Sequence, residues 1–76
     1  MREAAVQAQT IQIQVNGELR QIAAGVTMAA LVAQLELAQE RLAIELNLDI
    51  LPRPCWTETV LCEGDKLEIV HFVGGG

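Results

Sequence analysis

Asn16-Gly17, standing directly after an alternating run, narrows what this chain can become more than any other feature. Ile11, Ile13 and Val15 alternate with Gln12, Gln14 and Asn16, the period-two pattern of a strand with one buried face. Asn-Gly is the preferred pair where both central turn residues take positive φ. The run therefore doubles back, and Leu19 to Ala23 reads as the second strand of a hairpin. Residues 1–10 mix Ala, Gln and charged side chains with no strong period and read as a flexible N-terminal extension.

A helix follows. Gly25 ends the second strand, and Thr27 stands where an N-cap hydroxyl can satisfy an orphan amide. Met28, Leu31, Val32 and Leu35 recur at i, i+3, i+4 and i+7, one apolar stripe on a helix running to about Leu37. The same stripe could serve as a groove for a partner, but a chain with so little core needs it to cover the sheet.

Leu42, Ile44 and Leu46 alternate with Ala43, Glu45 and Asn47 to give a third strand. Ile50 and Leu51 form a short fourth piece stopped by Pro52 and Pro54, which exclude a central strand. The stretch up to Gly64 reads as irregular with one short helical turn, Trp56 as a lid on the core and Val60 and Leu61 turned inward. Glu63-Gly64-Asp65 marks a turn, Lys66 to Val73 the last strand, and Gly74-Gly75-Gly76 the end. The order is ββαβ(β)β: an α+β arrangement of one mixed sheet on one helix, with the first and last strands away from the edges.

Size and charge restrict the function. Seventy-six residues, 51% hydrophobic, suffice for one core and leave little for a walled catalytic cleft. A net charge of -5 with scattered Arg2, Arg20, Arg41, Arg53 and Lys66 argues against nucleic acid and permits docking on a basic protein surface. No apolar run is long enough for a signal peptide or a membrane span, so the chain is expected in the cytoplasm with no membrane partner. There Cys55 and Cys62 are reduced thiols with a structural or idle role. The single histidine, His71, shares the inward parity of Leu67 and Ile69 and reads as a strand-end residue near the core. No ligands cluster at metal-site spacing, and no nucleophile, base and oxyanion donor can be assembled. A catalytic side chain and a metal are therefore both expected to be absent.

Ile11-Gln12-Ile13-Gln14-Val15-Asn16-Gly17, the Thr27 to Leu37 helix, Leu51-Pro52-Arg53, Trp56, Glu63-Gly64-Asp65-Lys66-Leu67-Glu68-Ile69-Val70 and the final glycines occur together in this order. Over residues 11 to 76 the chain resembles the small sulfur carriers of the thiazole-biosynthesis (ThiS) type. The resemblance implies a ubiquitin-like β-grasp fold over 11–73, a mixed four- to five-stranded sheet wrapped on one helix, with a flexible Gly-rich tail at 74–76. It also implies a carrier without an active site or bound cofactor. A ubiquitin-activating-type enzyme spends ATP to adenylate the Gly76 carboxylate, a sulfur donor protein converts it to a thiocarboxylate, and thiazole synthase receives the sulfur.

The chemistry of the tail is consistent with that use. A carboxylate is a poor electrophile until one oxygen belongs to a good leaving group such as AMP. Gly74 and Gly75, lacking Cβ, let the backbone thread a narrow channel in a partner. Taken alone, three glycines equally describe a frayed end or a linker. In the last strand, Val70 and Phe72 fall on the face away from the helix, and with Ala43 of the third strand they form a candidate docking surface. The pattern departs from the family at Asn47-Leu48-Asp49, where members carry Asn-Gly and leucine resists positive φ. Rival readings are a molybdopterin-type sulfur carrier, a protein-conjugating ubiquitin-like modifier, and a β-grasp interaction module with an inert tail.

Overall fold

The computed structural model describes residues 9–72. Strands β1 (Thr10–Val15) and β2 (Glu18–Ala23) form the expected hairpin, with Val15 opposite Glu18 across a two-residue turn. Asn16 and Gly17 take φ of 52° and 86°, the left-handed pair of a type I′ turn. Helix α1 (Met28–Gln34) follows, then β3 (Leu42–Leu46), β4 (Asp49–Ile50) and β5 (Lys66–His71), with short 3₁₀ turns at Gln39–Arg41 and Arg53–Cys55. The strands make one five-stranded sheet in the order β2-β1-β5-β3-β4. β1 and β5 pair in parallel at its centre, and the other neighbours are antiparallel.

The helical stripe covers one face of this sheet. Met28, Leu31 and Val32 are buried against Ile13, Val15, Ile22, Leu42, Ile44 and Leu67, with Trp56 and Leu61 closing the side. Fully burying an aliphatic side chain contributes roughly 1.5–3 kcal/mol, so this cluster is the main source of cohesion. Thr27 is the N-cap, its Oγ1 accepting from the Ala30 amide at 3.1 Å. The carbonyls of Thr59 and Trp56 accept from the Met28 and Ala29 amides at 2.8 and 3.1 Å. The first three amides of the helix are thus engaged by the chain itself, leaving no anion-binding end.

Three local expectations need correction. The helix stops at Gln34 rather than near Leu37, because Glu36 takes φ 59° and the Glu36 and Leu37 amides donate to the Ala33 and Val32 carbonyls. That bond pattern is a Schellman ending with glutamate in the position that glycine usually fills. Val60 is half exposed instead of turned inward, since its backbone bridges Thr27 while its neighbour Leu61 takes the core position. The lid expected of Trp56 is in fact core: it is only 2% exposed, and its indole Nε1 donates to the Leu51 carbonyl at 3.0 Å.

The turn after β3 closes tightly without the glycine that the resemblance implies there. Leu46 lies opposite Asp49, so Asn47-Leu48 is a second two-residue turn, with φ of 52° and 77°. Leucine in this region costs roughly 1–2 kcal/mol. Asn47 pins the turn by donating from Nδ2 to Asp65 Oδ1 and accepting the Lys66 amide on Oδ1, both at 3.0 Å.

Candidate functional site

The candidate site is the end of β5 and the sheet face beside it. β5 is central, so its path is fixed on both sides. Toward β3, Leu42 pairs with His71, Ala43 with Val70 and Ile44 with Ile69, and the Phe72 amide donates to the Arg41 carbonyl at 2.8 Å. Toward β1 the ladder runs out at Val15, and the Asn16 side chain replaces the missing rung. Its Oδ1 accepts the Ile69 amide at 2.7 Å and its Nδ2 donates to the Ile69 carbonyl at 3.1 Å. The hairpin turn residue that sequence reading valued for its φ therefore also holds the last strand straight to its end. Asn was legible as a turn former, but its two bonds across more than fifty positions were not.

Val70 and Phe72 are each 53% exposed on the face opposite the helix, with Ala43, half-buried, directly across from Val70. Glu45 and Glu68 face each other one step along the same pair, and Ile50 lies opposite Glu45 from β4. The patch thus mixes apolar side chains with two like charges that no described side-chain hydrogen bond engages. Gly74, Gly75 and Gly76 lie outside the described residues.

His71 is exposed rather than near the core. Parity alone placed it inward, but the helix ends before it can cover that end of β5, and His71 lines an open groove of about 420 Å³ with Ile69, Leu35, Leu37, Glu18 and Arg20. No polar or charged residue is buried among the described residues, and none of their His, Cys, Asp and Glu side chains gather in threes that could hold a metal. Cys55 and Cys62 are free thiols, half-buried and exposed. Among the described residues no helix is long and apolar enough to cross a membrane.

A helix held on a mixed sheet whose parallel first and last strands are central defines a ubiquitin-like β-grasp protein. Comparison with known proteins carries the assignment further. The ThiS family model matches residues 13–76. The sulfur carrier protein ThiS of Escherichia coli (strain K12) is 33% identical over 66 residues, which cover 87% of this chain and 100% of that one. The crystal structure of the thiamine biosynthesis protein ThiS from Geobacter metallireducens superposes with a TM-score of 0.75 at 32% identity, covering 87% of this chain and 100% of that one. The chain belongs to the ThiS family.

A thiazole synthase of Paramagnetospirillum magneticum is 39% identical over 66 residues, 87% of this chain. The chain spans only 20% of that protein's length, so in that relative a ThiS-like segment is one part of a longer thiazole synthase polypeptide.

Proposed function

We propose that the chain carries sulfur for thiazole formation on the α-carboxylate of Gly76. The observation that supports this best is the reach of the family match, which extends through Gly74-Gly75-Gly76 to residue 76. In the proposed cycle a carboxylate oxygen of Gly76 attacks the α-phosphorus of ATP within a ubiquitin-activating-type enzyme, and pyrophosphate leaves. Sulfide-level sulfur (HS⁻), released by a donor protein, then adds to the acyl carbon and AMP departs with one carboxylate oxygen, so that oxygen is replaced by sulfur. Thiazole synthase takes the sulfur from this thiocarboxylate. Every catalytic group and the ATP belong to the partners, and this chain supplies the acyl group and the surface that delivers it.

Covalent geometry limits how far delivery can reach. Four residues extend at most about 14 Å, so a partner that acts on Gly76 has its active site close to Phe72 and covers protein surface around it. Val70 and Phe72, with the half-buried Ala43 across from Val70, form an apolar surface leading to that point, and we assign them to partner docking. Gly74 and Gly75 pass through the partner's channel, where any Cβ narrows the clearance.

The test is intact mass after incubation with the activating enzyme, ATP and a sulfur donor, for the full chain and for a chain lacking Gly76. Replacement of one oxygen by sulfur in the full chain alone is the expected result. No adenylate and no thiocarboxylate, while a control carrier reacts in the same mixture, would overturn the thiazole reading. Reaction only with the activating enzyme of the molybdopterin pathway would move the chain to that pathway.

A further inference from the structure

We propose that β2 is a self-pairing edge, and that a second copy of this chain adds to it antiparallel about a two-fold axis through Leu19. Among the described residues β2 is the outermost strand on its side of the sheet, and five of its six residues are exposed. Such an edge is a template for another strand unless something blunts it; ELRQIA contains no proline, and its two charges, Glu18 and Arg20, deter a partner only where they are left unmatched.

The register follows from parity. Val15 and Glu18 close a two-residue turn, so they form a hydrogen-bonded pair, as do Ile13 with Arg20 and Ile11 with Ile22. The backbone groups of Leu19, Gln21 and Ala23 consequently point to the open side. A two-fold pairing can centre on one of these as a hydrogen-bonded pair, or on Glu18, Arg20 or Ile22 as a non-hydrogen-bonded pair, but a centre at Glu18 or Arg20 sets like charges face to face and one at Ile22 or Ala23 matches none. Centred on Leu19, it sets Leu19 against Leu19 of the second copy and Glu18 against Arg20 of the second copy, twice by symmetry. Centred on Gln21, it sets Glu18 against Ala24 and Arg20 against Ile22 and matches no charges. Only the first register turns the alternation of Glu18, Leu19 and Arg20 into two ion pairs on one face and a leucine contact on the other.

The charges are available for it. Leu19 is 68% exposed, and Glu18 and Arg20 line the open groove that the short helix leaves uncovered. The resulting ten-stranded sheet keeps each β5 two strands from the seam, so the Val70 face stays free and pairing does not depend on the sulfur-carrier reading.

Sedimentation equilibrium of the full chain from micromolar to about millimolar concentration tests the pairing. A concentration-dependent dimer is expected. Glu18→Arg or Arg20→Glu, each setting like charges opposite, should weaken it roughly tenfold or more, and the double swap should restore it to within about threefold. In a Cys55→Ser, Cys62→Ser background, Leu19→Cys should cross-link on mild oxidation, since facing hydrogen-bonded residues lie about 5.5 Å apart at Cα. Gln21→Cys should not. A chain that stays monomeric throughout, single variants that pair as well as the parent, or cross-linking through Gln21→Cys in place of Leu19→Cys overturns the proposal.

Discussion

Asn16-Gly17 and Asn47-Leu48 occupy equivalent places in two tight turns, yet the sequence advertises only one of them. Asn16 precedes glycine and was readable at once as a turn former. Its two hydrogen bonds to Ile69 depend on where β5 lies and could not be read locally. Asn16→Ala should cost about 1–3 kcal/mol in denaturant unfolding, since it exposes one amide and one carbonyl of a central strand and forces alanine to positive φ. Leu48 is the opposite case. Its sequence neighbourhood predicts a disturbed turn, whereas the chain closes the usual type I′ geometry and accepts φ 77°. Leu48 is 89% exposed, so glycine there loses no packing. Leu48→Gly is expected to stabilise by about 0.5–1 kcal/mol, the relief of left-handed strain less the entropy of a freer unfolded chain. A lower denaturant midpoint would show that this leucine contributes contacts the fold needs.

At the level of elements, existence and type were legible, and the ends were decided by bonds between distant segments. Period two over Ile11 to Val15 and the i, i+3, i+4, i+7 stripe identify a strand and a helix without tertiary information. Nothing in the stripe says that it stops at Gln34, because Leu35 and Leu37 continue the apolar pattern past the Schellman ending at Glu36. A glutamate at that left-handed position costs what glycine would avoid, so Glu36→Gly should raise stability by roughly 1 kcal/mol. The other end depends on Thr27. Removing its hydroxyl in Thr27→Ala should lower stability by about 1 kcal/mol, and Thr27→Ser should restore nearly all of it. Equal losses in the two variants would mean that Thr27 acts through packing of its methyl group.

For the whole molecule, periodicity could assemble strands and a helix but not the parallel β1–β5 pairing, since pairing across fifty residues leaves no local signature. The order of the elements already set the first and last strands away from the edges, but their parallel register comes from the structure alone. That topology separates the two faces of β5. Leu67 is buried on the helix side while Val70 and Phe72 are half exposed on the other, so substitutions on the outer face can change recognition without disturbing the core. Val70→Ser and Phe72→Ser should each leave the unfolding free energy within about 1 kcal/mol of the parent. If the face docks the activating enzyme, each should raise the KM for this chain in adenylation with little change in kcat, because the tail that reacts is untouched. The neighbouring Glu45 and Glu68 oppose one another across the same strand pair, and Glu68→Gln should stabilise by about 0.2–1 kcal/mol by removing their repulsion. A fall in kcat for Val70→Ser or Phe72→Ser at unchanged KM would place these side chains in positioning the tail after binding. Unchanged kinetics in both would remove the face from partner recognition altogether.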